Sequence, residues 1–181
     1  EITTAANALL TAWHAVRPGN RDAVLVHAGA QSTTVVAIRN GVGVFASSFP
    51  MAGDFFTRAI ARLLHSNFQV AEGFKCSTNL LAGEKALTGF AEIVDGWAAE
   101  LRRQLREWRG QPFDLPGDLI ATGGAFEQPG LRDYLARHAG LKFQPWPTSS
   151  SPAALLPARG FEIALGAALQ VLGHSPQPAS L

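Results

Sequence analysis

Across 181 residues, 15 Lys and Arg stand against 14 Asp and Glu, for a formal net charge of +1. That balance points away from a nucleic-acid or anionic-membrane surface. The length suits one full domain with a sizeable core. The lone cysteine, Cys76, excludes an internal disulfide framework and suits a reducing compartment. No apolar run approaches the ~20 residues needed to span a bilayer.

The chain starts at Glu1, without Met and already in helix-like sequence, so the expectation is a piece of a longer protein. Residues 4–16 place Ala5, Ala8, Leu9, Ala12 and Trp13 at helical spacing, with Pro18-Gly19-Asn20 as a stop. Ala23 to His27 is continuously apolar, as a central strand buried on both faces should be. Thr33–Arg39 and Val42–Ser48 are rich in β-branched and aromatic residues and joined by Asn40-Gly41, a strong hairpin signal. Three consecutive antiparallel strands are therefore expected, the first of them central.

Helical periodicity follows. Residues 54–66 align Phe55, Ala59, Leu63 and Leu64, and a second helix is expected over Val70–Thr78. The stretch 86–109 carries Leu87, Phe90, Ile93, Val94, Trp97, Leu101, Leu105 and Trp108 in register. Arg102, Arg103, Arg106 and Arg109 read as its solvated face. A strand is expected at 118–122, a helix over Leu131–His138 ended by Gly140, and a short strand at Leu141–Gln144. Residues 145–159 read as a Pro- and Ser-rich surface loop, and Phe161–Leu172 as a last helix. The domain expected is 1–173, with 174–181 as a flexible tail. Together these elements make an α/β domain with a mixed sheet and flanking helices.

Two glycine-bearing turns follow apolar strands about a hundred residues apart. One is His27-Ala28-Gly29-Ala30-Gln31-Ser32-Thr33-Thr34; the other is Thr122-Gly123-Gly124-Ala125 with Pro129-Gly130-Leu131. Glycine at such a turn lets backbone N–H groups approach a phosphate without an intervening Cβ. Between them lie Ala52-Gly53-Asp54-Phe55-Phe56-Thr57 and Ala71-Glu72-Gly73-Phe74-Lys75, and Ile163-Ala164-Leu165-Gly166-Ala167-Ala168-Leu169 closes the set. In this order the segments resemble the second half of the actin-like ATPase superfamily, whose sheet is ribonuclease H-like. The likeness is greatest to the PilM family of type IV pilus assembly proteins, with the FtsA family next.

The resemblance implies site residues. Gly29, Gln31 and Ser32 match the second phosphate loop, and Gly53 matches a Gly-Gly-x-x-x-Thr element that opens the next helix. Glu72 and Lys75 match a pair flanking adenosine, and Gly123 and Gly124 match the adenosine turn. Read from the residues alone, Glu72 and Lys75 are equally an exposed i,i+3 ion pair, and the two glycines a turn needing positive φ. Thr33 and Thr34 serve as well for strand formation as for phosphate contact. His27 stands where the family carries an Asp associated with magnesium. Imidazole is a poor ligand for that hard cation, so a packed His27 is expected and magnesium is doubtful. Cys76 is expected to be small and buried, and no catalytic nucleophile is assigned.

By this resemblance the function is a cytoplasmic scaffold of a type IV pilus or type II secretion inner-membrane platform, with a degenerate nucleotide site. ATP would belong to a longer parent, with weak or no binding by these residues alone. The partner implied is a PilN-like inner-membrane protein, engaged through the first half of the fold; self-association is left open. Neither nucleic-acid binding nor direct membrane insertion is expected. The competing readings are a sugar- or acid-kinase-like enzyme and an FtsA-like ATP-binding protein.

Overall fold

The computed structural model describes residues 4–17, 22–109, 119–147 and 162–173. Its sheet has five strands: β1 (Ala23–Ala28), β2 (Thr33–Arg39), β3 (Val42–Phe49), β4 (Leu119–Thr122) and β5 (Phe143–Pro145). Their order is β3-β2-β1-β4-β5. β1 and β3 pair antiparallel with β2, while β1 pairs parallel with β4 and β4 with β5. The expected three-stranded start is present, with β1 in the middle of a mixed sheet. Asn40 and Gly41 both take positive φ, 50° and 75°, matching the twist of the strands they join.

Among the described residues six helices flank the sheet: α1 (Ala5–Val16), α2 (Gly53–Leu63), α3 (Phe68–Ser77), α4 (Phe90–Arg109), α5 (Leu131–His138) and α6 (Glu162–Val171). Every residue of β1 is buried because both faces are covered, which explains its unbroken apolar run. On one face Val24, Val26 and Ala28 meet Phe56, Ile60, Phe90, Val94, Trp97, Leu101 and Leu135 from α2, α4 and α5. On the other, Ala23 and Leu25 meet Leu9, Leu10, Trp13 and Val16 of α1. α6 packs on α1, where Gly166 lies so close to the Ala8 carbonyl that no Cβ would fit.

Several expectations need correction. The long helix begins at Phe90 rather than 86, because Gly89 takes φ +85° and breaks the helical path; Leu87 instead bonds back to Leu80. α2 buries Phe56, Thr57, Ala59 and Ile60, and leaves Leu63 exposed. The buried face runs through Phe56 and Ile60, one residue and so about 100° round the helix from Phe55. α3 starts at Phe68, where the Asn67 side chain caps it by accepting from Val70 N–H at 2.9 Å. Arg102 is only partly solvated, since it donates to the Ala139 carbonyl at 2.9 Å. Arg103 pairs with Glu100 and Glu107 in water. The side chains of Trp108 and Arg109, residues 148–159 of the expected loop and the expected tail from 174 lie outside the described residues.

Candidate functional site

The first turn is built by the end of β1. Gly29 donates its N–H to the Ser32 carbonyl at 3.1 Å, which closes the link to β2. Gln31 and Ser32 project into solvent from this turn. Thr33 and Thr34 do not join them. Thr33 is fully buried and donates to the Met51 carbonyl at 2.6 Å, while Trp97 Nε1 donates to both of those oxygens at 3.1 Å. Thr34 faces Ser48 across the ladder.

The N-terminus of α2 docks on the same turn. Gly53 N–H donates to the Gly29 carbonyl at 2.9 Å and Asp54 N–H to the Ala30 carbonyl at 2.7 Å. The first N–H groups of a helix lack intrahelical partners and are the ones that ordinarily meet an anion. Here the turn's own carbonyls take two of them.

α3 supplies the charges. Lys75 is only 6% exposed. Its ammonium meets Glu72 Oε2 at 2.7 Å, donates to Thr57 Oγ1 at 2.9 Å and reaches the Gly53 carbonyl at 3.3 Å. The Thr57 hydroxyl lies within donating reach of Gly53 O, at 2.9 Å, and of the Glu72 carboxylate. Burial pushes the Glu72 carboxyl up, but the hydrogen bonds from Lys75 and Thr57 outweigh it and hold it below its ordinary value. The pair is therefore more than a plain surface ion pair: it ties α3 to the start of α2. Cys76 is exposed rather than buried; partial desolvation, together with the Glu72 carboxylate to which its thiol donates, raises its pKa. Five residues past the buried Ala71, it lies about 140° round α3 from that face and points outward.

The second turn closes against the first. β4 runs parallel to β1 with Thr122 opposite His27. Gly123 takes φ +94°, and a Cβ there would collide with the Ala28 backbone. Gly124 has open space around its Cβ position and no positive φ. A short 3-10 turn (Gly124–Glu127) then leads toward α5. The structure thus brings Gly29, Gly53 and Lys75 into one cluster and sets Gly123 against the strand end beside Gly29.

His27 is buried on the α1/α6 side of β1. Burial lowers its pKa, only partly opposed by the carboxylate of Glu162, which is itself buried in the first turn of α6. The imidazole is therefore neutral near pH 7. Thr122, Gly123, Glu127, Arg132, Trp146 and Glu162 line a recess between this turn and α6. Sequence reading missed Glu162, an acid in a helix N-terminal turn with nothing to mark it as buried. Thr57 was legible as the Thr of the Gly-Gly-x-x-x-Thr element.

These residues fit a magnesium nucleotide poorly. Two donors at the α2 N-terminus, Gly53 and Asp54 N–H, bond the protein's own carbonyls, and Lys75 is taken up by Glu72, Thr57 and Gly53. Among the described residues, no three His, Cys, Asp or Glu side chains gather as a metal set.

No protein-family model matches the chain. By sequence it is 24% identical to the cell division protein FtsA of Streptococcus pneumoniae over 147 residues, covering 68% of this chain and 32% of FtsA. By structure it superposes on a chain of the PilM–PilN type IV pilus biogenesis complex. That likeness has a TM-score of 0.70 and 23% identity, over 94% of this chain and 52% of that one. MreB5 of Spiroplasma citri bound to ADP gives a TM-score of 0.64 and 14% identity, over 90% of this chain and 57% of MreB5. The fold is that of the actin-like ATPases. The chain spans about half the length of these structures and a third of FtsA.

Proposed function

We propose that this protein is a PilM-like scaffold of a type IV pilus or related secretion platform, with a nucleotide site that has become structural. The observation that carries the reading is the commitment of Gly53 and Asp54 N–H to the first turn's carbonyls, with Lys75 and Glu72 closed on each other. A phosphate would have to displace bonds already made, at a cost that binding must recover. His27 adds to this, since a buried neutral imidazole offers a hard cation little. Likeness to the PilM–PilN complex supports a PilN-like inner-membrane partner, engaged by the part of a PilM-like protein that this chain does not span. The protein would then work on the cytoplasmic side, held at the inner membrane by that partner. Among the described residues no helix is long and apolar enough to cross a membrane.

The test is calorimetry of the full-length parent with Mg-ATP, beside its His27→Asp variant, together with co-purification against a PilN-like cytoplasmic segment. Capture of that segment without ATP turnover supports the scaffold. Brisk turnover with His27 in place would replace it with an ATPase or kinase reading.

A further inference from the structure

β3 is the outermost strand of the sheet. Among the described residues, the backbone from Val42 to Ser48 bonds to no segment other than β2. Among the described residues nothing covers its outer row of N–H and C=O groups, and only another extended backbone completes such a row residue by residue. Edge strands normally carry a charge or a proline that blocks this pairing. Val42–Phe49 carries neither; its sequence is Val-Gly-Val-Phe-Ala-Ser-Ser-Phe. A bulge does interrupt the strand near Val44, where the pairing shifts between Ala37 and Ile38. Beyond it, Phe45–Phe49 pairs regularly with Thr33–Ala37, giving five residues of undistorted edge.

We propose that this edge pairs with β3 of a second copy of the chain, antiparallel about a two-fold axis at Ser47, joining two five-stranded sheets into one. The occupant follows from charge and register. A two-fold axis sets each residue of the strand opposite a residue of the same strand, so charges of one sign along it would meet their like; the strand carries none. Centring on Ser47 uses the whole regular stretch and sets Ala46 opposite the partner's Ser48, twice. Ala46 and Ser48 are exposed and small, which leaves the strand edge open to approach. An unrelated extended peptide could use the same edge, but nothing on β3 selects a sequence for one.

Sedimentation of the 181-residue chain across a wide concentration range tests this. The unmodified chain should show a monomer–dimer equilibrium. Ala46→Lys/Ser48→Lys sets like charges opposite each other and should weaken dimerisation about tenfold or more. Ala46→Lys/Ser48→Glu sets Lys against Glu at the same positions and should dimerise like the parent. Because both variants alter the same two exposed sites, a folding defect would affect them alike. Hydrogen exchange on the unmodified chain gives a mutation-free check: β3 amides facing outward should gain protection as concentration rises. A chain that stays monomeric overturns the proposal. So does a Lys/Lys variant that dimerises like the parent, a Lys/Glu variant no better than Lys/Lys, or β3 protection independent of concentration.

Discussion

The backbone N–H of Gly53 donates to the carbonyl of Gly29 at 2.9 Å, joining the start of a helix to a turn 24 residues earlier in the chain. A Cβ on Gly53 would sit 3.1 Å from that oxygen, close enough that the turn would have to give slightly to admit one. Through it α2 docks on the first turn, and Thr57, one helical turn on, meets Lys75 and Glu72 of α3. One backbone bond thus sets the geometry of the whole charged cluster, and the same bond removes a donor from any incoming anion.

The Glu72–Lys75 pair should be a structural coupling. Lys75 is buried, whereas Glu72 is 40% exposed by side chain, so solvent screens part of the attraction. A double-mutant cycle of Lys75→Met and Glu72→Gln should return a coupling of about 1 kcal/mol. Lys75→Met alone should cost about 1–3 kcal/mol, since it removes the ammonium that donates to Thr57 Oγ1 and pairs with Glu72. Chemical denaturation of the four proteins measures this, and additive effects would mean that the ion pair is incidental.

The two glycines of the second turn should separate cleanly. Gly123→Ala meets both a positive φ and the Ala28 backbone, and should cost about 2–4 kcal/mol or prevent folding. Gly124→Ala meets neither and should change stability by less than about 0.5 kcal/mol. Thermal melts of the pair decide it. If Gly124→Ala proved as damaging as Gly123→Ala, the turn's constraint would lie elsewhere.

Much of this architecture was legible from local pattern. The Asn40-Gly41 turn and the unbroken Ala23–His27 run identified the hairpin and the central strand, because turn chemistry and two-sided burial leave strong marks in sequence. The helix faces were harder. Phe55, Ala59 and Leu63 line up as well as Phe56, Ala59 and Ile60 do, and only docking at Gly53 chooses between them. Site residues divided the same way. The glycines and the Glu72–Lys75 spacing are visible in the chain, but that Lys75 is buried and satisfied by Thr57 is a tertiary fact without a local signature. Cys76 was misread for the same reason, since its exposure depends on which face of α3 meets α2.

The α1–α6 crossing offers a local test. Gly166→Ala would drive a methyl into the Ala8 carbonyl, so α6 should lift from α1 and the Thr11–Gln170 hydrogen bond, 2.9 Å long, should break. Hydrogen exchange should show protection lost in α6 while the amides of β1 and β2 keep theirs. Uniform loss across the sheet would show that α6 is part of the main cooperative unit.

His27 predicts a pH dependence whose sign follows from its surroundings. Burial lowers the folded-state pKa below the ordinary 6.5, and the Glu162 carboxylate only partly offsets this. The unfolded chain then binds the proton more readily than the folded one, so stability rises with pH across that interval. The contribution is complete above about pH 6.5 and is lost as pH falls toward the folded value. Glu72, held below its ordinary carboxyl value, loses its contribution only at lower pH, so the two windows are distinct. Measured from about pH 5 to pH 8, the stability of the unmodified chain relative to His27→Gln should rise with pH up to about 6.5 and level off above it. If the difference between the two did not change with pH, His27 would be titrating in the fold as it does in the unfolded chain. Its burial beside Glu162 would then have no electrostatic consequence.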